Sequence, residues 1–139
     1  MDLETALGYA RATNRSVLTT LRGNGLPQLS NVLHAVDLDG PIKISTTADR
    51  AKYANLRRRP WAAVKVDGES FWSYAVLEGE VELSAVAADP DDAATDELVA
   101  LYRQLSGEHP DWDDYRRTMV TDRRVVVRVR PSRAYGLGR

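Results

Sequence analysis

The hydrophobic residues of the chain recur with two periods, one typical of helices and the other typical of strands. Leu3 and Leu7 belong to a repeat at three- and four-residue intervals, which predicts an amphipathic helix over residues 3–13. The same period predicts a helix from about residue 90 to 106 and another from 112 to about 120. Helices are therefore expected at the start of the chain and in its last third.

Between these helices, hydrophobic and polar residues alternate, as they do along half-buried strands. Six strands are predicted, over residues 16–21, 27–37, 42–46, 61–66, 71–85 and 123–130, with Pro131 ending the last one. Short turns rich in glycine, asparagine and aspartate join several of them, which favours antiparallel neighbours. The chain is therefore predicted to be a mainly β, α+β domain: a six-stranded antiparallel barrel with peripheral helices, since closure leaves no exposed strand edge.

Composition narrows the functions that such a barrel could have. A length of 139 residues fits a single domain over residues 1–139, and the net charge of -1 creates no global field that would attract nucleic acid or a membrane surface. The chain has no cysteine, which excludes disulfides and thiolate catalysis and fits a reducing cytoplasm. We expect a cytoplasmic protein with no nucleic-acid partner and no membrane-spanning segment.

Residues 45–60 carry the most distinctive local chemistry. They predict a strand end, a turn and a short basic helix that Thr47 or Asp49 caps and Pro60 ends. Arg50 and Lys52 fall near the helix start, where positive charge opposes the helix dipole but suits an anion. The stretch therefore predicts a phosphate grip, with a solvated basic helix as the alternative.

A wider set of polar residues is expected beside that stretch, because adjacent antiparallel strands would bring residues 28–31 next to Ser45. The set consists of Gln28, Ser30, Asn31, Ser45, Arg50, Lys52 and Asn55. It contains hydrogen-bond donors and cations but no acid–base pair, and His34 and His109 lack the companions of a catalytic triad. Such a set suits a large phosphorylated ligand, so the chemistry is expected to reside in a cofactor.

Two tryptophans receive different predictions. Trp72 opens a strand directly after a turn, which favours contact with the ligand. Trp112 opens a helix and is expected to pack against a neighbouring helix. Arg57, Arg58 and Arg59 are interpreted as surface charge, or at most as attracting an anionic tail of the ligand.

Several motifs, in order along nearly the whole chain, resemble the split β-barrel flavin and deazaflavin oxidoreductases related to pyridoxamine 5′-phosphate oxidase, and within them the actinobacterial branch that uses coenzyme F-420. The motifs lie at residues 25–32, 49–58, 72–79, 101–109, 111–116 and 119–124, of which the 111–124 run is the most specific. The Arg-x-Lys-x-x-Asn-Leu motif at 50–56 is shared with flavin-binding relatives and does not distinguish the cofactor.

The resemblance implies a homodimer of split barrels with a cofactor in each groove between the subunits. It implies that Arg50, Lys52 and Asn55 hold the cofactor phosphate, that Trp72 closes the groove from the partner subunit, and that four residues line the deazaflavin ring and its side chain: Gln28, Ser30, Asn31 and Ser45. The reaction implied is hydride transfer from the reduced ring carbon to a small unsaturated or conjugated acceptor.

Other readings remain open at this stage. An FMN-dependent enzyme of pyridoxamine-phosphate-oxidase type and a non-catalytic protein that stores the coenzyme have the same cofactor residues. The proton donor is open among Tyr53, Tyr74 and solvent, and no feature selects the acceptor. A nucleic-acid contact at the basic helix is disfavoured, since no row of aromatic residues is interleaved with its cations.

Overall fold

The computed structural model describes residues 1–138, which form four helices and seven strands. In chain order these are α1 (Leu3–Ala12), β1 (Arg15–Leu21), β2 (Pro27–Leu33), β3 (Ala35–Val36), β4 (Ile42–Thr47), α2 (Ala51–Arg58), β5 (Trp61–Asp67), β6 (Tyr74–Leu83), α3 (Ala93–Ser106), α4 (Trp112–Thr121) and β7 (Arg124–Leu137). None of the helices in this part of the chain has the length and apolar character needed to cross a bilayer.

All seven strands belong to one curled antiparallel sheet in the order β2-β1-β5-β6-β7-β4-β3. The predicted α+β class and antiparallel barrel-like sheet are confirmed, with seven strands in place of six. The sheet order ends at β2 and β3, and β4 pairs with β3 and β7. The expectation that β2 pairs beside β4 is therefore wrong, and the two strands instead face each other across a gap.

The extra strand arises because the predicted strand over residues 27–37 is interrupted at His34. Its backbone N–H bonds to the carbonyl of Asn14 at 2.9 Å, outside any strand ladder. The imidazole Nε2 is 2.8 Å from the carbonyl oxygen of Ala10, and Nδ1 is 2.8 Å from the hydroxyl of Ser16. Burying a polar ring requires these partners, so the chain turns inward here and resumes as β3.

The sequence predicted that the last strand ends at Pro131. In the structure β7 continues to Leu137. The ladder between β6 and β7 shifts register between Glu78 and Gly79, and Gly79 lies opposite Pro131. The shift accommodates a proline that has no N–H to donate. A Cβ at Gly79 would lie 1.9 Å from the carbonyl oxygen of Arg130, so the close approach of the two strands requires glycine.

The inner face of the curled sheet carries the main hydrophobic core. Leu18, Val64 and Leu77 come from three adjacent strands and are fully buried there. A smaller cluster under α3 and α4 contains Leu98 and Met119. One contiguous hydrophobic core and one smaller cluster therefore hold the sheet and the helices together, and this packing fixes the positions of the strand ends.

Candidate functional site

The gap between β2 and β4 opens into a cavity of about 470 Å³, called here the cleft. Its wall consists of Ser30, Asn31, Val32, Leu33, Ser45, Thr46, Thr47, Arg50, Lys52, Leu105 and Arg124. Three of these side chains are cationic and none is a carboxylate. The cleft therefore has an excess of positive charge that its own wall does not neutralise.

Four elements supply the polar groups of the cleft. The edge strand β2 contributes Ser30 and Asn31, and β4 contributes Ser45. The first residue of β7, Arg124, is paired with Thr47 in the β4–β7 ladder and donates a hydrogen bond from Nη1 to the hydroxyl of Ser45 at 3.2 Å. The cleft thus lies where the ends of three strands meet the start of α2.

The start of α2 lacks the side-chain cap that the sequence predicted. The N-cap residue is Arg50, whose side chain forms no capping bond, and the hydroxyl of Thr47 instead bonds the carboxylate of Asp49. The prediction that Thr47 or Asp49 caps the helix is therefore wrong. First-turn N–H groups without a side-chain acceptor add positive potential beside Arg50 and Lys52.

The two cations at the helix start form no ion pair with another described residue. Among residues 1–138, no carboxylate lies within 4.0 Å of the charged nitrogens of Arg50 or Lys52. Partial burial, and secondarily the charge of Arg50, lower the pKa of Lys52. Both effects penalise the ammonium, and a bound anion would relieve both. The residues present therefore fit a phosphate group.

Five of the eight predicted site residues come together in the cleft: Ser30, Asn31, Ser45, Arg50 and Lys52. Gln28 and Asn55 lie outside it and bond to each other instead. Asn55 is buried, and its amide nitrogen donates to the Gln28 side-chain oxygen at 2.7 Å and to the Thr20 hydroxyl at 3.1 Å. Arg58 donates to the Asn55 oxygen at 2.9 Å. These bonds fasten α2 to β1 and β2, so Arg58 is more than the surface charge that was predicted.

Trp72 also lies outside the cleft of its own chain. It is 68% exposed in the β5–β6 loop, where its ring meets that of Phe71 edge-on. The strand that follows begins at Tyr74, which pairs with Leu137, whereas the cleft lies at the other end of β7. The cleft and the Trp72 loop thus lie at opposite ends of β7, which spans 14 residues, or roughly 40 Å at about 3.3 Å per residue.

The two histidines and the two candidate tyrosines lie outside the cleft wall. His34 has both ring nitrogens bonded inside the protein, and burial lowers its pKa. His109 accepts a hydrogen bond from the Asp111 N–H at 2.9 Å. Trp112 meets the ring of Tyr102 on α3 edge-on, which confirms its predicted packing against a neighbouring helix. Tyr53 and Tyr74, the two tyrosines considered as proton donors, do not belong to the cleft wall.

Sequence reasoning missed Arg124. Its motif was recognised, but no role was assigned to it, because only the β4–β7 pairing shows that the first residue of the last strand lies beside Ser45 and Thr47. The only sequence signal that could have indicated Arg124 was a charged residue at the N-terminal end of a hydrophobic strand. It became informative only once the partner strand was known.

The family model described as pyridoxamine 5′-phosphate oxidase matches residues 5–138. The chain therefore belongs to the pyridoxamine 5′-phosphate oxidase family, and its sheet has the split-barrel fold of flavin- and deazaflavin-binding proteins.

Solved structures agree on the fold. A conserved hypothetical protein of Mycobacterium tuberculosis, Rv2991, is 23% identical with a TM-score of 0.71, over 96% of this chain and 82% of that one. An F-420 reductase is 24% identical with a TM-score of 0.67, over 92% of this chain and 94% of the reductase. The haem storage protein HutZ from Vibrio cholerae is 12% identical with a TM-score of 0.69, over 98% and 95%. Proteins of different function thus share this fold.

Proposed function

We propose that this protein is an oxidoreductase that binds coenzyme F-420 in the cleft and transfers hydride between the reduced deazaflavin and a small unsaturated or conjugated acceptor. The observation that carries the proposal is the cleft itself: three cations, no carboxylate and a row of small polar side chains, in a member of a cofactor-binding family. When bound, the cofactor supplies the hydride chemistry.

The residues of the chain bind and orient under this proposal. Arg50 and Lys52 hold the phosphate, since they are the unpaired cations at the start of α2. Ser30, Asn31 and Ser45 offer hydroxyl and amide groups to the polar edge of the ring and its side chain. Gln28 and Asn55 act through α2, because their mutual hydrogen bond fixes the helix that presents Lys52.

A second copy of the chain completes the site in this proposal. Leu29, Leu33, Tyr135 and Leu137 are between 41% and 62% exposed, and the strand register from β2 to β7 puts them on one outer face of the sheet. The strands between them also carry charged residues on this face, including the exposed pair Lys65 and Asp67. Exposed apolar side chains within such a mixed face favour a subunit interface. Leu33 also belongs to the cleft wall, so a partner covering this face would border the cleft. The partner's Trp72 is proposed to close the cleft from that side.

Cofactor choice separates this function from its first alternative, an FMN-dependent enzyme of pyridoxamine-phosphate-oxidase type, which the family match favours. The test is a fluorescence titration of the protein with the deazaflavin coenzyme and, separately, with FMN. We expect saturable binding of the deazaflavin with the lower dissociation constant. Tight FMN binding together with none of the deazaflavin would replace the cofactor assignment.

A non-catalytic storage protein is the second alternative, and it has support because one structure with this fold is described as a storage protein. The deciding assay follows the absorbance of reduced deazaflavin coenzyme with a panel of conjugated enones, quinones and nitroaromatic acceptors. We expect acceptor-dependent oxidation with at least one class, abolished by Lys52→Ala at subsaturating coenzyme. Binding without oxidation across the panel would favour storage.

A further inference from the structure

A second cavity, of about 520 Å³, adjoins the cleft and shares two of its cations. Its wall consists of Thr47, Asp49, Arg50, Thr121, Asp122, Arg123 and Arg124. Arg50 and Arg124 belong to both cavities, whereas Lys52 belongs only to the cleft and Arg123 only to the second cavity. The two cavities are therefore neighbours. They share a wall that carries two cations, and each cavity has one further cation that the other lacks.

The two aspartates offset only part of the positive charge of the second cavity. The Asp49 carboxylate accepts the Thr47 hydroxyl, and Asp122 reaches no closer than 4.0 Å to Arg124. Within residues 1–138 the guanidinium groups of Arg50 and Arg123 have no carboxylate inside 4.0 Å. Three arginines against two aspartates leave the second cavity with an excess positive charge.

Arg124 has a donor that nothing in the described chain satisfies. Its Nη1 bonds Ser45, but its Nε is buried without a hydrogen-bond acceptor, and the nearest carboxylate oxygen, on Asp122, lies 4.0 Å away. A buried donor of a charged group is costly to leave unpaired, and a phosphate or carboxylate oxygen is its natural partner. The orphaned N–H lies on the residue that separates the two cavities.

Backbone geometry holds Arg123 in place despite strain. Its φ of 52° is the only positive value at a non-glycine residue in the described chain. Its carbonyl accepts from the Ala48 N–H at 3.0 Å, and its N–H donates to the Val120 carbonyl at 3.1 Å. These bonds tie the end of α4 to the loop before Arg50, which keeps the arginines of the two segments together. The left-handed conformation of Arg123 ends α4 directly after the C-cap Asp122.

We propose that the second cavity is a separate anion subsite, built on Arg123 and Arg124, which holds a phosphate or carboxylate group in addition to the anion held by Arg50 and Lys52. This extends the proposed function, in which the first anion is the cofactor phosphate. The second anion has two possible sources: a further anionic group of the same cofactor, or an anionic group of the acceptor.

The first test does not depend on the cofactor. The Lys52→Ala variant, in which the cleft has lost its own cation, is titrated with inorganic phosphate and with acetate while the Arg side-chain Nε–H resonances are followed by NMR. We expect a saturable shift of the Arg124 resonance, assigned by its loss in Arg124→Lys, and a weaker response when Arg123→Gln is added. An unchanged Arg124 resonance, or an identical response in the double variant, would overturn the subsite.

The second test identifies the source of the anion. Arg123→Gln is compared with Arg117→Gln, which removes an exposed arginine of α4 outside both cavities. If the cofactor supplies the anion, Arg123→Gln weakens binding of coenzyme carrying its anionic tail about tenfold and leaves tail-less coenzyme unchanged. If the acceptor supplies it, KM rises about tenfold for anionic acceptors and not for neutral ones. Equal effects of Arg123→Gln and Arg117→Gln in both assays would contradict the subsite.

Failure of the subsite can be told from failure of the proposed function. Wild-type protein that binds neither deazaflavin nor FMN would remove the proposed function, while the anion titration of Lys52→Ala would still decide the subsite. Normal coenzyme binding without any effect of Arg123→Gln or of the tail would remove the subsite and leave the proposed function intact.

Discussion

Arg124 donates a hydrogen bond to the Ser45 hydroxyl at 3.2 Å, so the first residue of the last strand lies beside a serine 79 positions earlier in the chain. This bond joins β7 to β4 at the mouth of the cleft. It also fixes one of the three cations whose charge the cleft wall leaves unpaired. The proposed binding of a phosphorylated cofactor rests on this arrangement.

Lys52→Ala should weaken cofactor binding by about 1.5–3 kcal/mol, the range for a hydrogen bond to a charged group. Stability of the cofactor-free protein should hardly change, because Lys52 has no counter-ion within 4.0 Å in residues 1–138. Isothermal titration and urea unfolding measure the two quantities. Lys65→Ala removes a lysine paired with Asp67 and serves as the matched control. Lost stability with unchanged affinity would make Lys52 a structural residue.

Asn55→Ala should have the opposite effect to Lys52→Ala: a large loss of stability and a smaller loss of cofactor affinity. It leaves the partners Gln28, Thr20 and Arg58 without the buried amide, which should lower the free energy of unfolding by roughly 1–3 kcal/mol. Cofactor affinity should fall less than in Lys52→Ala, because Asn55 acts through the position of α2. The urea midpoint and the dissociation constant test this division. Intact stability with a large loss of affinity would show direct contact with the cofactor.

Stability should fall as pH drops through the range in which His34 of the unfolded chain takes up a proton. Burial lowers the pKa of folded His34, so the unfolded state binds more protons below its ordinary pKa of about 6.5. The contribution of His34 to the free energy of unfolding is fully present above about pH 6.5. It is lost as the pH falls toward the lower pKa of the folded state. Urea midpoints at about pH 7.5 and 5.5 measure the effect.

Two variants control the histidine experiment. His34→Gln should flatten the pH dependence even if it lowers stability overall, whereas His109→Gln should preserve the slope of the wild type. A wild-type slope that survives in His34→Gln would assign the dependence to another group.

Gly79→Ala should destabilise the protein by about 3 kcal/mol, the upper end of the range for overpacking, because its Cβ would lie 1.9 Å from a backbone oxygen. Gly8→Ala is the control: no atom lies within 4 Å of a Cβ at Gly8, which is in α1. Alanine there should stabilise the helix by about 0.5–1 kcal/mol. Similar unfolding midpoints for both variants would mean that β6 and β7 separate at little cost.

Trp72 should act on the cleft of a second copy of the chain. Mixed dimers that pair a Trp72→Ala chain with a Lys52→Ala chain would contain one intact site and one doubly altered site if the tryptophan acts in trans. Coenzyme titration should then reveal half of the sites at wild-type affinity. Two weakened sites, one lacking Trp72 and the other lacking Lys52, would place Trp72 with the cleft of its own chain. A monomer in sedimentation would exclude the shared site.

The sequence predicted elements better than it predicted their neighbours. Periodicity located three of the four helices and most strand cores, and the turn and proline signals of residues 45–60 located α2. Local chemistry grouped Arg50, Lys52 and Ser45, which line one cleft. It could not show that His34 turns the chain inward, because that requires the partners Ala10 and Ser16 from distant positions.

Long-range pairing also explains the other differences between the predicted and observed site. Pro131 seemed to end a strand because its own N–H is missing, yet the register shift at Gly79 lets the ladder continue. Gln28 and Asn55 have the right residue types for a ligand, but their side chains are satisfied by each other. Arg124 entered the site only through the β4–β7 register.

A crystal structure of the protein with the deazaflavin coenzyme bound tests the central claim most directly. The phosphate should lie within hydrogen-bonding distance of Lys52 Nζ and the Arg50 guanidinium, in the gap between β2 and β4. A coenzyme bound with its phosphate away from both side chains, or bound outside this gap, would contradict the proposed site.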